Sequence, residues 1–98
     1  MAKVKLVMTS TLAMYLNSER ELQLEATNVR DLLQKLSERF GDAFRQRVLD
    51  DKGNLKSFVV LYINGKNIEF TEGVDTKLED GDEVLILPAI GGGNPSIF

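Results

Sequence analysis

The sequence predicts an α+β domain in which a mixed sheet of four to five strands carries one main helix packed on one face. Three patterns predict this fold class: alternating apolar residues near the N-terminus, a helical apolar spacing in the middle of the chain, and two continuous apolar runs after it. The chain has 98 residues, a length that suits one compact domain with one hydrophobic core.

The N-terminal part of the chain predicts two strands. Residues 3–8 and 21–26 each alternate apolar with polar side chains, and a period of two marks a strand that buries one face. We expect these strands to form a hairpin over a long connection, Thr9 to Arg20.

A helix follows, because the apolar residues change to a spacing of three and four over residues 28–40. Thr27 or Asn28 can cap its first turn, and Gly41 can supply the left-handed conformation that often ends a helix. Residues 42–49 predict a short second helix before a loop.

The last part of the chain predicts three more strands. Residues 58–63 form an apolar run that ends at Asn64-Gly65, a dipeptide suited to a tight type I′ turn, so a short strand over residues 66–70 should follow. The last strand is predicted at residues 83–88. A right-handed helical crossover would place the first and last strands side by side and parallel in the middle of the sheet, with the other face open to solvent.

Composition excludes several classes of function. The sequence contains no cysteine and no histidine, which removes thiolate nucleophiles, Cys-based metal sites and the commonest general base. With a net charge of -3 and no basic stripe, the chain is not expected to bind nucleic acid. Neither a signal-peptide pattern nor a membrane-spanning apolar run is present, so we expect a cytoplasmic protein without membrane contact. We also expect it to be no enzyme and to need no metal or cofactor.

Three segments of the chain carry a family resemblance. They are FVVLYING at residues 58–65, LEDGDEV at residues 78–84 and ILPAIGGG at residues 86–93. Together with the order of elements they resemble the MoaD/ThiS family of ubiquitin-like sulfur carriers, most closely its CysO-like branch. The resemblance implies a β-grasp (ubiquitin-like) domain over residues 1–90 and a flexible glycine tail over residues 91–98.

The resemblance also implies a chemistry for the tail. In the family, an ATP-dependent partner of the ubiquitin-activating type adenylates the carboxylate of the C-terminal glycine, which then becomes a thiocarboxylate. This role falls on Gly93, preceded by Gly92. In this sequence Asn94 follows, so the Gly93 carbonyl lies in a peptide bond. The resemblance to carriers with a removable tail implies that a JAMM-type zinc metalloprotease cuts between Gly93 and Asn94 and releases residues 94–98.

Several fates of such a glycine terminus stay open. A CysO-like carrier would deliver sulfide to an acceptor enzyme for cysteine, homocysteine or methionine-type biosynthesis. A molybdopterin synthase small subunit or a thiamine-type carrier would serve another acceptor, and a ubiquitin-like modifier would be joined to lysines of other proteins. A plain β-grasp interaction domain with an inactive tail is a further alternative, since chain termini are often glycine-rich and loose.

The open face of the predicted sheet is a candidate partner-binding surface. If Val4 and Leu6 point to the core, the alternation along the strands leaves five apolar side chains on the solvent side, which we call the open-face patch: Val7, Val60, Tyr62, Leu85 and Leu87. Exposed apolar patches usually mark protein-binding surfaces, while strands central to a sheet are also apolar for packing alone. Ile90 and Gly91, at the start of the tail, complete the predicted contact set.

Overall fold

A single mixed sheet runs through residues 1–88, the part of the chain that the computed structural model describes. Neighbouring strands lie in the order β2-β1-β5-β3-β4, and the central pair of β1 and β5 is parallel while the other pairs are antiparallel. The parallel pair expected from the sequence is confirmed. The strands are β1 (Ala2–Met8), β2 (Glu21–Ala26), β3 (Val59–Ile63), β4 (Lys66–Asn67) and β5 (Glu83–Pro88).

Three α-helices occur in the described residues: α1 (Ser10–Leu16), α2 (Val29–Phe40) and α3 (Asp42–Val48). The start of α2 is fixed by two hydrogen bonds of Asp31. The Asp31 N–H donates to the Asn28 side chain at 2.8 Å, and the Thr27 N–H donates to the Asp31 carboxylate at 2.9 Å. The predicted helix and its end at Gly41 are confirmed, but Gly41 has a φ of 67° and a ψ of -143°, a positive-φ conformation other than the predicted left-handed helical one.

Helix α1 corrects the expectation of a long connection between the first two strands. The Thr9 hydroxyl accepts the Leu12 N–H at 3.1 Å, which caps the first turn, and Asn17 ends the helix in the left-handed conformation with a φ of 53°. Leu12, Ala13 and Leu16 turn one side of the helix into the core. The antiparallel pairing of β1 with β2 is nevertheless as predicted.

The short strand predicted over residues 66–70 is wrong beyond Asn67. The chain there forms a 3₁₀ helix, Ile68–Phe70, because the Asn67 side chain accepts the Glu69 N–H at 2.9 Å and satisfies the first turn. Ile68 enters the core from this turn and is only 3% exposed. A second 3₁₀ helix follows at Gly73–Asp75.

The hydrophobic core lies between the helices and one face of the sheet. Along β5, Val84 and Ile86 are fully buried, whereas their neighbours Leu85 and Leu87 are partly exposed. All three α-helices contribute to the same buried cluster as the inward side chains of the strands. The helices therefore cover one face and leave the other face uncovered within residues 1–88. None of the helices in this part of the chain is long and apolar enough to cross a membrane.

Candidate partner-binding site

The structure brings the five residues of the open-face patch together on the uncovered face. Leu85 of β5 is the register partner of Val7 on one side and of Tyr62 on the other, so these three side chains form a row across the sheet. Leu87 and Val60 are partners in the next row. All five are partly exposed. Because neighbouring strands lie about 4.8 Å apart, the five side chains form one continuous apolar surface.

A polar border limits this patch on the side of β1 and β2. The Lys5 ammonium lies 3.4 Å from a carboxylate oxygen of Glu21 and 3.5 Å from one of Glu83. The hydrogen bond and charge of Glu21, followed by those of Glu83, raise the pKa of Lys5 above its ordinary value. Exposed ion pairs of this kind contribute little to stability. They give the apolar patch the charged rim that is typical of protein interfaces.

Strand β5 ends beside the open-face patch. Met8 at the end of β1 is the register partner of Ile86, and Pro88 at the end of β5 is the partner of Val59 at the start of β3. The chain therefore leaves the sheet next to Leu87, the outermost patch residue of β5. The remaining predicted site residues lie outside the described residues: Ile90, Gly91, Gly92, Gly93 and Asn94.

The turn that leads into β5 fixes the position of this strand. The Asn64 side-chain amide donates to the Asp82 carboxylate at 2.8 Å, and its carbonyl oxygen accepts the Glu83 N–H at 2.9 Å. The Asp80 carboxylate accepts the Lys3 N–H at 2.8 Å and joins the same turn to β1. The carboxylates of Asp80 and Asp82 thus accept hydrogen bonds that fix the turn. Within residues 1–88 no group of three or more acidic side chains could hold a metal ion.

Helix α1 adds exposed side chains to which the sequence analysis assigned no role. Met14 is 80% exposed and Tyr15 is 51% exposed, and the Arg47 guanidinium lies 3.5 Å from the Tyr15 ring centroid. The signal that could have located this helix is the spacing of Leu12 and Leu16 after the capping residue Thr9.

A family model and two similar proteins point to the same family for this chain. The ThiS family model matches residues 10–93 of the sequence. A candidate sulfur carrier protein of Archaeoglobus fulgidus is 34% identical over 73 residues, which cover 74% of this chain and 82% of the relative. The sulfur carrier protein CysO of Mycobacterium tuberculosis is 42% identical over 50 residues, which cover 49% of this chain and 54% of CysO.

The fold has a close counterpart among solved structures. Small archaeal modifier protein 1 of Methanosarcina acetivorans superimposes with a TM-score of 0.78 at 33% identity, and the superposition covers 95% of this chain and 98% of that one. The predicted fold class, an α+β β-grasp domain of the ubiquitin-like type, is confirmed. The relatives carry names of two kinds, sulfur carriers and protein modifiers.

Proposed function

Because the chain belongs to the ThiS family, we propose that it is a sulfur carrier whose working group is the carboxylate of Gly93. The observation that carries the proposal is the end of the family match at Gly93, five residues after β5 ends at Pro88. At full extension five residues span roughly 17 Å. The last three of these five residues are glycines, which suits a terminus that must enter a narrow nucleotide site, because glycine adds no side-chain bulk.

The terminus must first be released. Asn94 follows Gly93 in the sequence, so Gly93 has no free carboxylate. Hydrolysis of the bond between Gly93 and Asn94 by a JAMM-type metalloprotease would produce that carboxylate and release residues 94–98 as a peptide. The domain would then consist of residues 1–90, followed by a glycine tail that ends at Gly93.

Two transfers then load the sulfur. The Gly93 carboxylate attacks the α-phosphorus of ATP on the adenylating partner, and pyrophosphate leaves. A sulfide donor attacks the carbonyl carbon of the resulting acyl adenylate, and AMP leaves with the bonding electron pair, so the terminus becomes a thiocarboxylate. On the acceptor enzyme the thiocarboxylate sulfur bonds to the acceptor substrate and displaces a leaving group from it, and water then hydrolyses the bond to the Gly93 carbonyl carbon, which restores the carboxylate.

The chain itself contributes the carboxylate and the docking surface. It has no cysteine and no histidine, so the nucleotide site, the metal and the stabilisation of the developing charge belong to the partners. Its relatives are named as carriers and modifiers, which supports a role as a substrate of partner enzymes. We assign the docking of these partners to the open-face patch together with Ile90 and Gly91, since the chain leaves β5 at the edge of that patch.

The acceptor that fits best is a biosynthetic enzyme for cysteine, homocysteine or methionine-type products. The segment Pro88-Ala89-Ile90-Gly91 resembles the CysO-like branch, and the 42% identity to CysO supports this choice over a molybdopterin synthase small subunit or a thiamine-type carrier. The match covers about half of the length of CysO.

A modifier function is the second candidate. It is favoured by the similarity to small archaeal modifier protein 1, which extends over 95% of the chain. The chemistry up to the adenylate is the same in both cases, and only the nucleophile differs: a sulfide donor for a carrier, a lysine amine of another protein for a modifier.

Exchange of pyrophosphate into ATP tests the working terminus. Protein that ends at Gly93 should support the exchange with the adenylating enzyme of its own host, whereas the full chain through Phe98 should not, because its Gly93 carbonyl is an amide. A Gly93→Ala variant of the shortened chain is the control for the terminal residue. Equal exchange from the shortened and the full chain would overturn the requirement for trimming.

Intact mass spectrometry of protein isolated from the native host separates the two candidate functions. A carrier should end at Gly93, with sulfur in place of one carboxylate oxygen, and should react with a mild alkylating reagent although the chain has no cysteine. A Gly93 end found only in isopeptide linkage to other proteins would establish the modifier function instead.

A further inference from the structure

A cleft of about 880 Å³ opens at the corner where β1, α1 and β2 meet. We call it the corner cleft. Its wall includes the apolar side chains of Val7, Ala13 and Met14, and three charged residues at or just before the start of β2 also line it: Glu19, Arg20 and Glu21. The volume falls in the range of small-molecule pockets, about 300–1,000 Å³, so the cleft has ample room for one side chain of a partner.

The corner cleft is continuous with the proposed docking surface. Val7 belongs to the open-face patch and also lines the cleft, and Glu21 forms the charged rim through its ion pair with Lys5. The cleft also lies at the end of the sheet where the chain leaves it, because β1 runs parallel to β5 and Met8 is the register partner of Ile86. A partner that binds the open-face patch and the tail would therefore also contact the corner cleft.

Met14 gives this corner a side chain suited to binding. It is 80% exposed on α1, and methionine adapts its flexible, polarisable side chain to different apolar surfaces. Neighbouring Tyr15 already stacks against the Arg47 guanidinium of the same chain, 3.5 Å from its ring centroid. Met14 is thus the exposed apolar side chain that α1 offers to the cleft.

The charges at this corner favour a basic occupant. Lys5 lies between Glu21 and Glu83, and the Arg20 guanidinium donates from Nε to the Met8 carbonyl oxygen at 3.4 Å. Among the described residues the Glu19 carboxylate makes no ion pair. Of the charged residues that line the cleft, Glu19 and Glu21 are acidic and Arg20 is basic, so the lining carries one net negative charge.

We propose that the corner cleft receives an arginine side chain of the adenylating partner. Its aliphatic stem would lie against Met14, Ala13 and Val7, and its guanidinium would bind the carboxylates of Glu19 and Glu21. Arginine suits both needs, because it combines an apolar stem with a planar, weakly hydrated cation that binds carboxylates in bidentate geometry. This inference rests on the proposed function, since it assigns a second contact to the partner that docks on the open-face patch.

The apolar half of the inference is tested by calorimetric measurement of Kd for the host's adenylating enzyme, with carrier that ends at Gly93. Met14→Asp should weaken binding about tenfold, and Met14→Ala, which keeps a strong helix former, about threefold. Phe70→Asp is the matched control: Phe70 is 78% exposed and lies beyond β4, at the opposite edge of the sheet from β2. It should stay within twofold of the unchanged protein.

The proposed ion pair between the cleft and the partner's arginine is tested by reversing the charge of Glu19. Glu19→Lys should weaken binding about tenfold and reduce its dependence on salt, because the ion pair with the guanidinium is lost. Glu69→Lys, at an exposed position in the 3₁₀ helix after β4, is the control of equal charge change and should stay within twofold. Binding that is unchanged or tighter in Glu19→Lys would overturn the basic occupant.

The same series separates this inference from the docking on which it rests. If Tyr62→Asp weakens binding while both Met14 variants bind like Phe70→Asp, the corner cleft is not a contact and the open-face docking stands. If neither Tyr62→Asp nor the Met14 variants weaken binding, the docking itself is overturned. Circular dichroism of each variant confirms that the fold is unchanged.

Discussion

The two faces of the sheet come from the same strands and from similar side chains, yet the helices cover only one of them. In β5, Ile86 is 0% exposed under the helices, whereas Leu87 beside it is partly exposed on the other face. In β3 the same holds for Leu61, at 1% exposure, and Tyr62. The apolar character of a strand residue therefore does not say whether it lies in the core or on the uncovered face, to which we assign partner docking. The side chain is buried if it lies on the face that α2 and α3 cover.

The largest expected effect concerns the covered face. Ile86→Ala should lower the free energy of unfolding by about 2–5 kcal/mol, because it removes buried methyl groups and leaves a cavity. Leu87→Ala should lower it by about 1 kcal/mol or less, since part of that side chain is already in contact with water. Urea unfolding followed by circular dichroism measures both. Equal losses would contradict the distinction between the faces.

The next effect concerns the open face. Tyr62→Asp and Leu87→Asp should each weaken binding of the adenylating partner by about 2 kcal/mol or more, roughly 30-fold, because the partner must desolvate a carboxylate within the apolar patch. Both variants should keep the circular dichroism spectrum of the unchanged protein. Ile86→Asp is the matched control on the covered face and should unfold the chain. Loss of fold in Tyr62→Asp would show that Tyr62 contributes to the core.

Alternation along the sequence predicts the two faces of β1 and β2, whereas β3 and β5 are apolar on both faces and their residue pattern leaves the orientation open. Once Val4 and Leu6 are assigned to the core, register fixes Val7, Leu85 and Tyr62 on the opposite face, and the observed pairing agrees. Because a shift of one residue would have inverted every side chain of β3 or β5, the pairing register and not the residue pattern decides which of their faces is covered.

The elements that sequence reasoning missed are short and held by capping side chains. Helix α1 has seven residues, and its stability comes from the Thr9 cap and from burial of Leu12 and Leu16 against distant parts of the chain. Isolated helices of this length are unstable in water, so propensity alone does not reveal them. The strand after Asn64-Gly65 ends early because Asn67 caps a 3₁₀ turn, a competition between side chain and strand ladder that alternation does not encode.

A smaller effect is expected at the turn that aligns the two rows of the open-face patch. Asn64→Ala should lower the free energy of unfolding by about 2 kcal/mol, because it loses the hydrogen bonds to Asp82 and Glu83 and places alanine, which tolerates the left-handed region less well than asparagine, at a φ of 52°. Asn64→Gly loses the same bonds without the backbone cost and should lower it by about 1 kcal/mol. Equal losses in thermal or urea unfolding would show that the left-handed conformation carries no cost here.

The smallest effect concerns the charged rim, and it depends on pH. The carboxylates of Glu21 and Glu83 raise the pKa of Lys5 above its ordinary value of 10.5. The folded chain therefore holds this proton more tightly than the unfolded chain. The contribution of Lys5 to stability is complete below the unfolded pKa and is lost as the pH rises through the raised folded pKa. Since the side chain is exposed, the effect should be small and should shrink in high salt.

Comparison with Lys5→Met isolates this contribution, because the variant keeps the apolar stem and removes the charge while every other group that titrates at alkaline pH is retained. The difference between the urea midpoints of the two proteins should be constant from about pH 7 to about pH 9 and should narrow above about pH 10.5. In the Glu83→Gln background, the difference in urea midpoint between Lys5 and Lys5→Met should be smaller already at neutral pH. One of the two carboxylates that favour the Lys5 ammonium is then replaced by an uncharged amide. A difference that stays the same up to about pH 12 would show that the ion pairs of the rim do not couple to folding.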